Sequence, residues 1–207
     1  MARHVIVVLM KDTPNDHPIL APIKARWSPR AFLARAVEQE KLQQLFEAAR
    51  WAPSAGNGQP WFFIICPQGS HAFEQLHSVL SEGNKPWTMK APLLLLAVAE
   101  TTLVREGKPT RPNRHALYDV GQAVAFLSLQ ATELGLSLHQ MAGFDAEKAQ
   151  SLFNIPQEFS AVTVIALGYR AEPDSLSDDL KARELAPRSR KALAEFVFHE
   201  AWQRPIP

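Results

Sequence analysis

The ten residues Ala52-Pro53-Ser54-Ala55-Gly56-Asn57-Gly58-Gln59-Pro60-Trp61 constrain this chain more than any other stretch. They join an amphipathic run to an apolar one. They carry no charge, yet they are dense in hydrogen-bonding groups: Ser54, Asn57, Gln59 and the backbone amides. Pro53 and Pro60 fix the backbone at the two ends, and Gly56 and Gly58 permit positive φ between them. A rigid, neutral, polar loop can read a flat heterocycle edge by edge, where a charged loop would seek water or phosphate. The same residues also suit a plain helix-to-strand connection whose amides cap the helix end and the strand start.

The surroundings of the loop read as alternating helices and strands. Leu42, Leu45, Phe46 and Ala49 recur at helical spacing, which predicts an amphipathic helix over 38–51. Glu38 and Glu40 at its start and Arg50 at its end suit the helix dipole, and Pro53 stops it. Trp61 to Cys66, bounded by Pro60 and Pro67, predicts a buried strand. A second amphipathic helix is expected over 70–82 from Phe73, Leu76, His77 and Leu80. Leu93–Ala99 reads as a continuous apolar strand, and residues 100–114 as a polar loop. Arg105, Lys108, Arg111 and Arg114 make that loop either a solvated face or a lid over a substrate.

Residues 115–134 predict a long helix that is apolar on nearly every face. Such a helix must be buried on most sides, and a subunit interface would cover the second one. Gly135 is its expected C-cap. Leu136–Gln140 and Ala161–Tyr169 are further strands, and Val5–Met10 a short one, within an N-terminal arm of residues 1–24 broken by Pro14, Pro18 and Pro22. Runs that are apolar on both faces, separated by helices, indicate one α+β or α/β layered domain around a central sheet.

Composition narrows the function classes. The chain has 207 residues, of which 46% are apolar and 21% charged, enough for one domain with a sizeable core. A net charge of +1 makes no electrostatic case for a nucleic-acid partner. Cys66 is the only cysteine, which rules out an intrachain disulfide and a cysteine-rich metal site. No apolar run is long enough for a signal core or a membrane span, so a soluble cytoplasmic protein is the expectation. The seven histidines lack metal-site spacing, and there is neither a G-x-S-x-G elbow nor a G-x-G-x-x-G fingerprint. His139, on a strand, reads as a core histidine. The five tryptophans read as mostly core, with Trp61 and Trp87 nearest any ligand.

Arg26, Ser28 and Arg30 alternate, so an extended backbone points all three to one side and Trp27 and Pro29 to the other. Two guanidiniums and a hydroxyl on one side suit a dianionic phosphate, because arginine offers forked donors and stays charged. Arg188 and Arg190 repeat the alternation near the other end. Arg183 and Lys191 add to this local basic cluster, whose scale fits a phosphate monoester. Two solvated basic patches would show the same composition.

In chain order the chain therefore carries R-x-S-x-R-x-F at Arg26–Phe32, then L-x-x-L-F-E-A-A-R-W-A-P-S-A-x-N-x-Q-P-W-x-F at Leu42–Phe63, then P-R-S-R-K at Pro187–Lys191. This pattern resembles the FMN-dependent nitroreductase family, from about Ala25 to about Phe198. The resemblance implies an α+β fold with a central mixed sheet flanked by helices, in an intertwined homodimer that holds FMN at the subunit interface. Arg26, Ser28, Arg30, Arg188 and Arg190 would hold the phosphate and ribityl end, with Trp27 contributing backbone. Pro53, Ser54, Ala55 and Asn57, with Gln59 in support, would reach the isoalloxazine from the partner subunit. Gln140, Met141, Ala142 and Gly143 would lie against the flavin face, with the amides of Ala142 and Gly143 toward N5.

Some members have a glutamate where this chain has Ala142; a backbone contact survives that difference. Asn84 stands where some members have a flavin-contacting asparagine. Trp87, a lysine in those members, would be a pocket wall. The implied function is hydride transfer from NADH or NADPH through FMN to a small electron-poor acceptor such as a nitroaromatic or quinone, with ping-pong kinetics and no obligate side-chain acid or base. An oxidase, dehalogenase or flavin-consuming enzyme of the same fold, or a non-catalytic flavin binder, are the alternatives. The apolar C-terminal segment of a single domain over 25–207, with Phe196, Phe198 and Trp202, is expected to pack on the partner.

Overall fold

The sheet is organised around its most apolar strand. In the computed structural model, which describes residues 11–206, β2 (Leu93–Glu100) is buried at every position from Leu93 to Ala99. It pairs antiparallel with β1 (Trp61–Pro67) on one side and β6 (Phe159–Gly168) on the other, and β5 (Ser137–Met141) closes the order β1-β2-β6-β5. Trp61 lies opposite Ala99 and Cys66 opposite Leu94. The expected strand at Val5–Met10 lies outside the described residues.

Alternate residues of β2 feed two cores. Leu93, Leu95, Ala97 and Ala99 pack against α2 (Gln39–Arg50) and α5 (Ala116–Glu133) through Leu45, Ala49, Val120, Val124 and Leu127. Leu94, Leu96 and Val98 pack the other way, against α3 (His71–Ser78), α4 (Lys85–Thr88) and α6 (Ala146–Leu152) through Phe73, Leu76, Trp87 and Ala149. A sheet covered on both faces reads as a continuous apolar run whatever its strand directions. The resemblance implied a mixed sheet; among the described residues every pairing is antiparallel. Cys66 belongs to the second core, where burial pushes its thiol up to about 12.

Other differences from the sequence reading have local causes. The helix expected over 70–82 stops at Ser78, because Ser81 N–H is taken by Gly143 O at 2.9 Å and Leu80 bridges to Phe144. Its start is fixed by Ser70, whose hydroxyl accepts Phe73 N–H at 3.1 Å. The 100–114 loop contains a short hairpin, β3 (Thr102–Leu103) with β4 (Arg111–Pro112). It is tied at its base by Asn113 N–H to Thr101 O at 2.8 Å, and Arg105 is paired with Glu100 at 2.7 Å. Within the arm, α1 (Ala21–Ala25) is helical. α6 begins on an Asp145 cap, and α7 (Asp178–Leu185) follows β6. Gly135 does end α5, at φ 72°.

α5 buries one side in the core but leaves Leu117, Tyr118 and Phe126 exposed on the other. With Ala48, Leu129, Pro22 and Ile23, Phe126 lines a shallow apolar groove between α1, α2 and α5. Of the tryptophans, Trp27 and Trp87 are buried and Trp61 is half-buried, while Trp51 and Trp202 are exposed, so the set is less internal than expected. Among the described residues no helix is long and apolar enough to cross a membrane, and no cluster of His, Cys, Asp or Glu could hold a metal ion.

Candidate functional site

Past α1 the backbone becomes extended, with Arg26 at ψ 128°. Burial alternates as the spacing predicts: Trp27 and Pro29 are buried, Arg26, Ser28 and Arg30 half-buried. Trp27 anchors the strip from below, with Lys11 Nζ 4.6 Å and the Arg170 guanidinium 5.8 Å from its ring centre. On the outward side, Arg26 Nη1 lies 3.4 Å from Ser28 Oγ.

The C-terminal basic pair comes back to this strip. Arg188 donates from Nη1 to Lys24 O at 2.9 Å and to Thr13 Oγ1, and from Nη2 to Arg26 O at 2.9 Å. Much of its fork is thus spent on the strip's own backbone, leaving Nε and one Nη2 proton. Arg190, which donates from Nη1 to Ser189 O, is exposed. Burial holds the Arg26 guanidinium below its ordinary value, and the charges of Arg188 and Arg190 lower it further. Burial lowers Arg188 too, then Arg190, with Asp12 opposing. Three like charges this close favour an anion between them.

β5 lies along the strip. His139 on β5 faces Pro29 O through Nδ1 at 2.9 Å and sits 4.6 Å from the Trp87 ring centre. Burial lowers its pKa to about 4; Arg30 and Arg26 push the same way, while hydrogen bonds to the backbone at Pro29 and Ser28 oppose. Neutral His139 donates one N–H to the strip. β5 then delivers Gln140, Met141, Ala142 and Gly143. Gln140, Ala142 and Gly143 are exposed, whereas the Met141 side chain is core. Asn84 Nδ2 donates to Gly143 O at 3.1 Å. Gly143 has no room for a side chain: a Cβ there would sit 2.7 Å from Ser81 Oγ and 3.1 Å from Asn84 Nδ2. Trp87 is no pocket wall; it is 1% exposed and stacks on Phe32. An indole at that position is large enough to complete the core under the strip.

The neutral loop is built differently. Gly56, Asn57 and Gln59 have φ of 57°, 54° and 48°, while Gly58 is right-handed at φ −70°. The loop thus needs positive φ at two non-glycine residues instead of at Gly58, a strain that tends to mark functional loops. Ser54 sustains it, its Oγ accepting Gln59 N–H at 3.0 Å and its carbonyl accepting Asn57 N–H at 3.0 Å. Buried Asp119 on α5 takes Ala55 N–H at 3.1 Å. Pro53, Ala55, Asn57 and Gln59 are exposed.

One chain thus brings together Arg26, Ser28, Arg30, Arg188, Arg190, Asn84 and the Gln140–Gly143 segment, and holds the loop elsewhere. The loop is tied to Asp119 near the start of α5, whereas α1 packs beside Phe126 to Glu133. At 1.5 Å rise per residue those points are about 10–20 Å apart along the helix.

Sequence reading missed Glu184, 2% exposed, whose carboxylate takes the backbone N–H of Arg30 at 3.0 and 2.9 Å. It also missed Asp119 and Thr13 as supports. Their partners lie 154, 64 and 175 residues away, so no local pattern signals them.

A family model described as the nitroreductase family matches residues 23–83 and 67–169. A solved oxidoreductase containing FMN is 31% identical with a TM-score of 0.87, covering 91% of this chain and 94% of that one. A nitroreductase family protein from Clostridium difficile is 25% identical with a TM-score of 0.68, covering 87% and 97%. A candidate NADH dehydrogenase/NAD(P)H nitroreductase of Ralstonia nicotianae is 27% identical over 153 residues, which cover 67% of this chain and 78% of that protein.

Proposed function

The chain belongs to the nitroreductase family, and we propose that it is an FMN-dependent oxidoreductase that takes hydride from NADH or NADPH and reduces a small electron-poor acceptor such as a nitroaromatic or quinone. The observation that carries this reading is the cationic cluster of Arg26, Arg188 and Arg190 beside Ser28. Three guanidiniums, two of them beside the Arg190 charge that lowers them, with a hydroxyl at their edge, form a donor set that fits a phosphate monoester. The solved relative containing FMN and the NAD(P)H-linked relative point the same way.

The residues divide the work. Arg26, Ser28, Arg30 and Arg190 bind the phosphate end, and Arg188 holds the strip's backbone in place. The Gln140–Gly143 segment offers backbone amides toward the ring. Glycine at 143 lets that segment pack tightly on Ser81 and Asn84, where a Cβ would sit 2.7 and 3.1 Å from their polar atoms. FMN held there would supply the redox chemistry between the nicotinamide and the acceptor, which would use one pocket in turn. No side-chain acid or base is required.

The Pro53–Gln59 loop serves the site of a second copy. Its distance from the strip in its own chain supports that reading, as does the exposed apolar side of α5. The C-terminal residues Leu193, Phe196 and Trp202, all exposed here, pack on the same partner. The test is a visible absorption spectrum of the purified protein before and after anaerobic NADH or NADPH. A flavin spectrum that bleaches with either donor is expected. Flavin that resists both donors would favour the non-catalytic binder, and protein that cannot be loaded with FMN would undo the assignment.

A further inference from the structure

We infer that Glu184 is a positioning residue of the phosphate clamp: its buried carboxylate takes the backbone N–H groups of Arg30 and Ala31 and fixes the Arg26–Arg30 strip against the segment that carries Arg188 and Arg190. The inference rests on the FMN reading above and adds a part that touches no ligand.

Glu184 is the only buried residue of α7, whose other side chains face solvent in whole or in part. Leu180, one turn earlier, packs on the second core, so the inward face of α7 is apolar there; a buried carboxylate on that face is costly unless it is fully engaged. Glu184 is engaged by backbone. Arg30 N–H lies 3.0 Å from Oε1 and 2.9 Å from Oε2, and Ala31 N–H lies 3.4 Å from Oε1. Both oxygens accept, which is the pattern of the ionised form. Burial pushes the carboxyl up, while these amides and the charges of Arg30 and Lys11 pull it down. Arg170 also faces it.

The placement gives the contact a purpose. Four residues beyond Glu184, Arg188 grips Lys24 O and Arg26 O. The stretch 184–188 is therefore a brace that holds the strip near both ends, by its amides at 30–31 and by its carbonyls at 24–26. The far end is also pinned to the close of β6, with Ala171 N–H to Ala31 O at 3.0 Å and Leu33 N–H to Tyr169 O at 2.9 Å. Releasing Glu184 frees the orientation of Arg30 and the spacing between the two basic segments, while the sheet stays intact. The negative charge also faces the positive charges of Lys11, Arg30 and Arg170.

The experiment compares FMN with riboflavin, which has the same ring and no phosphate. The full-length protein is stripped of flavin, and both are titrated by fluorescence quenching for the parent chain, Glu184→Gln and Glu184→Ala, between pH 5 and 8, with thermal melts as the folding control. FMN affinity should fall about 10- to 100-fold in the alanine variant and less in the glutamine variant, with riboflavin affinity nearly unchanged. The preference for FMN over riboflavin in the parent should weaken on the acid side as Glu184 takes up a proton, beyond whatever loss the phosphate's own titration causes in Glu184→Gln. An equal fall for both flavins would make Glu184 a plain folding element and overturn the inference. So would variants that keep the parent's full preference for FMN. A parent chain with no preference for FMN would overturn the phosphate clamp itself. Should the alanine variant not fold, Glu184→Gln carries the same comparison alone.

Discussion

The Arg26–Arg30 strip and the Pro53–Gln59 loop are both polar and both short, yet their backbones are held in opposite ways. The strip is extended, alternately buried, and tied from elsewhere by Arg188, His139, Glu184 and the end of β6. The loop curls through three positive-φ residues, is tied mainly to itself, and leans on the rest of the chain through Asp119. The strip takes its supports from distant elements of its own chain, whereas the exposed loop takes most of its own from within.

The largest expected effect breaks the strip. In Arg26→Ala/Arg190→Ala, two charge-assisted contacts to phosphate are lost at about 1.5–3 kcal/mol each, so FMN affinity should drop by about two to four orders of magnitude with the melting temperature little changed. Retention of stoichiometric flavin would refute the clamp. The same variant tests the division between regions. Refolded together with Asn57→Ala chains, it should form mixed dimers with one intact site. Reductase turnover that never exceeds that of either separate variant would put strip and loop in one chain's site after all.

His139 sets the acid limit of the strip. Its folded pKa of about 4 lies below the ordinary 6.5, so the unfolded chain binds the proton first. Stability from this group is complete above about pH 6.5 and is lost as pH falls toward 4, by about 3 kcal/mol at most. Denaturant midpoints at pH 7 and 4.5 should converge for His139→Gln relative to the parent, and an unchanged difference would show the acid sensitivity to lie elsewhere.

A smaller effect belongs to the Gln140–Gly143 segment, which leads from β5 toward α6. Gly143→Ala forces a Cβ to 2.7 Å from Ser81 Oγ. Overpacking of this kind costs about 1–3 kcal/mol. Thermal melts should show the loss, and the bound flavin's absorption should shift as Gly143 backs away. An unchanged melt would show that the segment gives way freely.

The same contrast explains what could be read from residues alone. β2 was legible because burial on both faces leaves an uninterrupted run, Leu93–Ala99, and the strip because alternation over five residues survives any tertiary context. Sheet direction was not legible, since a two-sided core erases the pattern that separates parallel from antiparallel strands. α7 escaped notice because its one buried side chain is a glutamate, which counts as polar in any periodicity. The resemblance placed Arg188 with the strip but did not show that its fork grips Lys24 O and Arg26 O. In the loop, glycine positions suggested where φ turns positive; hydrogen bonds accepted by Ser54 moved one of those turns from Gly58 to its neighbours.

Ser54 is therefore the finest probe of the loop. Its Oγ holds Gln59 N–H at 3.0 Å across five residues, and that bond keeps Gln59 at φ 48°. Ser54→Ala removes one exposed hydrogen bond, about 1 kcal/mol of loop stability, and nothing in the strip. Amide exchange at Gln59 should quicken severalfold while the amides of Arg30 and Ala31 keep their protection. FMN should still bind, because the phosphate end is untouched, but turnover should decline as the loop loses its set shape. Faster exchange in both segments would mean that loop and strip open together, and the separation drawn between them would fail.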